Sequence, residues 1–392
     1  MMNYDTLISS TLKDIKPSGI RKFFNLLSEM TDVTALTVGQ PDFVTPWHIR
    51  EEAIRSIEEG KTYYTSNQGL PSLRRELSAY MKRRFDLDYS EKDEIVITVG
   101  GSEAIDIAIR SLLNPGDEVI IPTPSFVCYE PITRMAGGVP VIIETKVEDG
   151  FKLTPDALRR AITEKTKLLV LPFPNNPTGA LLEREDLEGI AEVLRGTNVL
   201  VLSDEIYAEL TYGDKHVSIA NIPDMRERTV IASGFSKAYA MTGWRLGYLL
   251  APEPLISPML KLHQYAIMCA PTVSQIAAEE ALKNGDEDIE CMKAEYDRRR
   301  RLITDGLRRI GLPCFEPRGA FYIFPYIGGF GLNSEEFCQR LLYEEKCAIV
   351  PGTAFGEGGE GYARISYAYS VKHIKEALAK IERFINRLKN EK

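Results

Sequence analysis

A lysine and an arginine, eight residues apart, occupy one short stretch of this 392-residue chain, S-G-F-S-K-A-Y-A-M-T-G-W-R-L-G-Y at 233–248. Lys237 comes just after an apolar run, Val230, Ile231 and Ala232, so a buried strand would end there and deliver an amine into a cleft. Desolvation or a neighbouring cation lowers the pKa of such an amine, and its neutral form can condense with an aldehyde. Arg245, past the turn at Gly243, offers a planar fork that matches a phosphate. An amine for an aldehyde beside a guanidinium for a phosphate points to pyridoxal 5′-phosphate. The plain alternative is a solvated loop lysine and a surface arginine, so the rest of the chain has to decide.

Ligands of open α/β sheets bind at the carboxyl ends of the strands, and the notable polar residues of this chain follow its apolar runs. After 94–99 comes G-G-S (Gly100, Gly101, Ser102), where small residues at a helix start let N–H groups approach a phosphate. After 118–121 comes P-T-P-S-F, which puts the Phe126 ring where it could stack on a heteroaromatic ligand. After 167–172 comes F-P-N-N-P-T-G, in which Asn176 precedes a proline and can aim its amide into a cleft. After 199–203 comes D-E-I-Y. A buried Asp204 could hold a pyridine nitrogen protonated, and Tyr207 could donate to a phenolate oxygen on the same ring. A tight turn, core packing, an Asn-Pro turn and a helix N-cap are the ordinary roles of these residues. Taken together, five strand ends supply the groups that one pyridoxal phosphate needs.

The elements that position these groups follow from the pattern of the runs. Short apolar stretches at 94–99, 118–121, 139–144, 167–172, 199–203, 229–232 and 246–251 alternate with helical stretches such as 102–113 and 183–195. Strands apolar at nearly every position are covered on both faces, which predicts an α/β fold with a mostly parallel seven-stranded sheet. Before it, 1–32 reads as a helical arm, 33–43 as a short strand that breaks at Gly39, and 47–59 as a helix. After 285 a charged helix at 287–309 leads to short strands at 319–325, 348–350 and 363–366. A terminal helix follows, carrying Ile374, Leu378, Ile381, Ile385 and Leu388 on one face. The expected division is a large domain at 46–285 and a smaller α/β domain built from 1–45 and 286–392.

Composition narrows the classes. Charged residues make up 27% and apolar ones 44%, ordinary for a globular enzyme, and the formal charge of −8 argues against a nucleic-acid partner. The six cysteines form no C-x-x-C pair, and none of the four histidines is spaced as a metal pair. Reduced packing cysteines, no metal, no membrane span and no signal peptide together predict a cytoplasmic protein.

The motifs G-Q-P-D-F, Y-x-x-x-x-G, G-G-S-E-A, N-N-P-T-G, S-D-E-I-Y, S-K-x-x-x-M-T-G-W-R-L-G and Y-A-R-I-S resemble, in order and separation, the fold-type I, class I/II aminotransferases. The resemblance covers essentially the whole chain. It implies that Lys237 carries the cofactor covalently, that Asp204 pairs with the ring nitrogen, and that Asn176 and Tyr207 bind the phenolic oxygen. Gly101, Ser102 and Arg245 would hold the phosphate, with Phe126 on the ring. Tyr64 would reach that phosphate from the other subunit of a homodimer with shared active sites. Arg364 would bind the substrate α-carboxylate, with Gly39 and Asn176 nearby. Three residues before the lysine many relatives carry a phosphate-binding serine, whereas this chain has Gly234, so Ser233 or Ser236 is left to supply the hydroxyl.

S-G-I-R-K-F, G-F-K-L-T, L-S-D-E-I-Y-A-E-L-T-Y and G-A-F-Y-I-F-P are similar to the bacillar N-acetyl-LL-2,6-diaminopimelate aminotransferases of lysine biosynthesis. Aspartate and broad aromatic aminotransferases share several of these motifs. The implied reaction moves an amino group from an amino acid to 2-oxoglutarate. A dicarboxylic donor needs a second cation, for which Arg21 in the N-terminal arm is the candidate, the plain alternative being an exposed arginine on a surface helix. A pyridoxal-phosphate β-lyase is the other enzyme reading. A ligand-sensing regulator would need an added DNA-binding domain, and only a short arm precedes 33.

Overall fold

A computed structural model describes residues 2, 4, 7–15, 17, 19 and 30–391. Its strands are, in chain order, β1 (Thr34–Ala35), β2 (Ile95–Thr98), β3 (Glu118–Thr123), β4 (Val139–Glu144), β5 (Thr166–Leu171), β6 (Leu200–Asp204), β7 (Thr229–Gly234), β8 (Gly247–Leu250), β9 (Tyr322–Ile323), β10 (Cys347–Ala348), β11 (Val350–Pro351) and β12 (Ala363–Ser366). Seven of them form one sheet in the order β2-β8-β7-β6-β5-β3-β4. Only β8 runs against its neighbours β2 and β7, so the expected α/β sheet is present and mostly parallel.

Burial explains the uninterrupted apolar runs. Every position of β2, β7 and β8 is buried. On one face Val96, Val119, Ile121, Leu168 and Val170 pack with the helix Gly100–Leu112. On the other, Ile120, Leu169, Leu171 and Val201 pack with the helix Arg184–Leu194. The edge strand β4 breaks the pattern, since its Val139 and Ile142 are exposed.

A further core joins the two ends of the chain. Leu36 packs there with Ile303 and Leu307 of the helix Asp286–Ile310, and with Phe337, Leu341 and Leu342 of the helix Ser334–Glu345. The terminal helix Val371–Asn390 contributes Ile374, Leu378, Ile381, Ile385 and Leu388, the apolar face read from the sequence. β1 pairs with β10 in parallel, while β11, β12 and β9 make a small antiparallel sheet.

Three expectations need correction. Of the strand expected at 319–325 only Tyr322–Ile323 forms a ladder, as β9, while Gly319 and Pro325 make isolated bridges to Thr211 and Cys314. The strand expected from 33 is only two residues long, because past Leu36, whose carbonyl accepts from the Ser366 N–H, the carbonyls of Thr37 and Gly39 are used elsewhere. Thr37 O accepts from Arg364 and Gly39 O from Lys237, so neither is free to form a ladder. The strand expected at 348–350 is instead two short strands separated at Ile349, since the chain leaves β1 and joins β12 there. Of the helical arm, Ser10–Asp14 is helical, and 20–29 lie outside the described residues.

Candidate active site

The carboxyl ends of β2, β3, β5, β6 and β7 open onto a cavity of about 390 Å³. Gly39, Gly101, Ser102, Phe126, Asn176, Asp204, Tyr207, Ser236, Lys237, Arg245 and Arg364 all line it, so the residues singled out from the sequence come together in one place.

Lys237 sits in a single helical turn, Phe235–Ala238, directly after β7. Its Nζ donates to Gly39 O at 2.6 Å and lies 5.7 Å from the ring centres of Tyr207 and Phe321. Burial first, then the positive charges of Arg364 and Arg245, push its pKa down to about 8, with Asp204 opposing them. A neutral amine is therefore within reach near physiological pH.

Asp204 is the last residue of β6 and is buried. Burial raises its pKa, while the Tyr129 hydroxyl and the Ile206 N–H favour the carboxylate. Tyr129 donates to Oδ2 at 2.6 Å and the Ile206 N–H to Oδ1 at 3.2 Å. Two donors on one buried acid keep it available as an anion for a cationic partner. Phe126 packs edge-to-face on the Tyr129 ring at 6.3 Å. On the far side, the Tyr207 and Tyr322 hydroxyls lie 2.8 Å apart.

Arg364, on β12, is only 3% exposed. Its Nη1 donates to Asn176 Oδ1 at 3.0 Å and its Nη2 to Thr37 O at 2.6 Å, while Nε has no partner among the described residues. The guanidinium carbon is held between the rings of Tyr322 and Phe355, at 4.6 and 4.7 Å from their centres. Among the described residues no Asp or Glu pairs with it. A buried guanidinium without a counter-ion is costly to maintain and is suited to an incoming carboxylate.

At the other end, Gly101 and Ser102 lie in the first turn of the helix Gly100–Leu112, where N–H groups and the helix dipole favour an anion. Gly100 has φ +77°, and a Cβ there would lie 2.6 Å from Arg245 Nη2, so only glycine lets the guanidinium close on the helix start. The absence of a serine at Gly234 has a steric cause. A Cβ there would meet Gly247 Cα and Leu246 O, both at 2.9 Å. Of the two hydroxyls left open by the sequence, Ser236 lines the cavity, whereas Ser233 donates to Glu205 O at 3.1 Å.

Two residues stand apart. Tyr64 is 79% exposed and does not line the cavity within a single chain. Arg21 lies outside the described residues. Conversely, Tyr129, Tyr322 and Thr37 belong to the site and were not singled out. Tyr129 follows Phe126 by three residues and Tyr322 lies in G-A-F-Y-I-F, signals that could have found them. Thr37 contributes only a carbonyl, which no sequence pattern announces.

The donor set fits pyridoxal 5′-phosphate: an amine of lowered pKa, a buried carboxylate with two donors, and a helix start closed by a guanidinium. Among the described residues there is no cluster suited to a metal ion, and no helix is long and apolar enough to cross a membrane.

Comparison with known proteins agrees with this chemistry. The family described as aminotransferase class I and II matches residues 31–381. A Bacillus subtilis (strain 168) chain named "putative aminotransferase YugH" is 54% identical over 380 residues, covering 97% of this chain and 98% of that one. Another from that organism, named "probable N-acetyl-LL-diaminopimelate aminotransferase", is 46% identical over 379 residues, covering 97% and 96%. The aspartate aminotransferase of Pyrococcus abyssi (strain GE5 / Orsay) is 44% identical over 385 residues, covering 97% and 99%. The crystal structure of an aromatic aminotransferase from Pyrococcus horikoshii OT3 superposes with a TM-score of 0.89 at 43% identity, covering 94% of this chain and 99% of that one.

Proposed function

This chain belongs to the class I and II aminotransferases, pyridoxal-phosphate-dependent enzymes that move amino groups between amino acids and 2-oxo acids, and we propose that its donor is N-acetyl-LL-2,6-diaminopimelate with 2-oxoglutarate as acceptor. That places it in the cytoplasm, in lysine biosynthesis. The observation that carries the amino-acid reading is Arg364, a buried guanidinium with no carboxylate partner among the described residues, facing the same cavity as the Lys237 amine. The 46% identical bacillar relative supports the choice of donor.

When bound, the cofactor supplies an aldehyde that carries the amino group and a ring that accepts electron density. The residues of this chain do the rest. Arg364 and Asn176 fix the α-carboxylate, so that the substrate Cα–H points at Lys237. Lys237 Nζ, neutral and released from Gly39 O, would take the Cα proton as general base and give it back as general acid. Asp204, to which Tyr129 and the Ile206 N–H donate, would keep a proton on the ring nitrogen. Tyr207 would donate to the phenolic oxygen. Gly101, Ser102, Ser236 and Arg245 would bind the phosphate, and Phe126 would cover one face of the ring. The sheet part at 46–285 is the cofactor-binding domain, and 1–45 with 286–392 form the smaller one, which carries Arg364.

A second reading has its own observation. The described cations lining the cavity are Lys237, Arg245 and Arg364, and its walls include Ile105, Phe126, Tyr129 and Tyr322. Such walls suit an aromatic donor, and a distal carboxylate needs a further cation, for which Arg21 is the candidate. A donor panel with 2-oxoglutarate decides, comparing N-acetyl-LL-diaminopimelate, glutamate, aspartate, alanine and phenylalanine by kcat/KM. The acetylated donor is expected to lead. A best donor of aspartate or phenylalanine overturns the lysine-pathway assignment and leaves the aminotransferase standing.

A further inference from the structure

Behind the helix start that faces the cavity lies a histidine–carboxylate pair, its histidine fully buried, that takes no part in the chemistry above. Glu103 occupies the first turn of the helix Gly100–Leu112, next to Gly101 and Ser102. One of its oxygens accepts the Val99 N–H at the mouth of that turn. The other lies 2.6 Å from Nδ1 of His263, on the helix Glu253–Ala266. A carboxylate can only accept, so Nδ1 carries the proton and donates. His263 is fully buried, and its Nε2 has no partner among the described residues.

A carboxylate in the first turn favours the helix dipole but opposes an anion bound at the same N-terminus. Left unpaired, Glu103 could also turn its charge toward the cavity and give up the Val99 N–H that shapes the turn at Gly100. That turn is the one whose missing Cβ lets Arg245 approach. We propose that His263 is a positioning residue for the cofactor phosphate: it holds Glu103 back on the Val99 N–H, keeping the N–H groups of Gly101 and Ser102 and the Arg245 guanidinium set for a dianion. This rests on the phosphate position stated above.

Pyridoxal, which lacks the phosphate, separates this role from simple packing. The purified enzyme is emptied and refilled with pyridoxal 5′-phosphate or with pyridoxal, and both dissociation constants are measured. His263→Leu is expected to loosen the phosphate-bearing cofactor by on the order of tenfold, leaving pyridoxal nearly unchanged. His263→Asn, whose amide nitrogen reaches the Nδ1 position, should retain binding. Adding Glu103→Gln to His263→Leu should recover most of the loss, since the unpaired charge is then gone. Equal loosening of both ligands, or no recovery in the double variant, overturns the proposal. Should His263→Leu fail to fold, His263→Gln, whose amide reaches the Nε2 position instead, takes its place with the same expectations. Arg245→Ala is the control. Without a phosphate-selective loss in Arg245→Ala the phosphate position itself is wrong, whereas loss there and none in His263→Leu overturns only the role of His263.

Discussion

Lys237 is pulled in opposite directions by its neighbours, and the balance fixes when it can act. Burial together with Arg364 and Arg245 disfavours the ammonium, and Asp204 favours it, leaving a pKa of about 8. Only the neutral amine can be loaded with an aldehyde, so the rate of cofactor uptake by the emptied protein should rise with pH through a midpoint near about 8 and then level off. Arg364 is a like charge that lowers this value. Replacing it by methionine removes that repulsion, so the midpoint should move up, while Asp204→Asn removes an attraction and should move it down. A midpoint near that of free lysine in the unaltered protein would contradict this account. Tyr129 acts one step further out. Tyr129→Phe removes one of the two donors on a buried acid whose burial already favours protonation. Fewer Asp204 anions would then face the ring nitrogen. kcat/KM should fall by about tenfold, the cost of one hydrogen bond to a charged group, with a steeper fall toward acid pH. An unchanged profile would remove Tyr129 from the site.

The ends of β6, β7 and β8 set the spacing on which those charges depend. Gly234 and Gly247 face each other across β7 and β8, and a Cβ on Gly247 would itself strike Gly100. Three backbones converge there with no room for side chains. Gly234→Ser, which restores the serine of many relatives, should therefore lower stability by on the order of 1–3 kcal/mol as overpacking does. Thermal unfolding reads this directly, and an unchanged Tm would mean that the strands part without strain. The sheet was legible in the sequence because these strands are covered on both faces, so their apolar runs are continuous and end at the polar residues of the site. Asp204 and Lys237 were found that way. The chain from 37 to 39 was not, since the Thr37 and Gly39 carbonyls serve Arg364 and Lys237 rather than a ladder, and hydrogen-bond partners of main-chain atoms leave no mark on residue type. Tyr129 and Tyr322 were missed for a related reason. An aromatic residue beside an apolar run reads as core unless its place in a motif is weighed, and here the hydroxyls, aimed at Asp204 and Tyr207, show the role that the spacing only hints at. The exchange of partners at Ile349 depends on two strands far away in sequence, which local pattern cannot report.

At the scale of the molecule, the phosphate end of the cavity is open within one chain. Ser102 and Arg245 are both exposed. Tyr64 projects into solvent, and its neighbour Tyr63 is exposed as well. The same surface carries Tyr265, Ile267 and Met268, also exposed, and Asn67 ties the two segments together by donating to Met268 O at 2.8 Å. Large apolar side chains gathered on one face mark an interaction surface. Self-association through a two-fold axis would bring each copy's segment to the other's site. We therefore expect an obligate homodimer in which Tyr64 completes the phosphate site of the neighbouring subunit. Mixing two inactive variants tests this at the level of the assembly. Lys237→Ala lacks the amine, and Tyr64→Ala should bind cofactor weakly across the interface. When the two are unfolded together and refolded, the mixed dimers contain one site with both defects and one site with neither. Activity should return in the mixture at cofactor concentrations where neither variant alone is active, and sedimentation should show the mass of two chains. If Tyr64 instead served its own chain, the mixed dimer would carry one defect in each site and activity would not return.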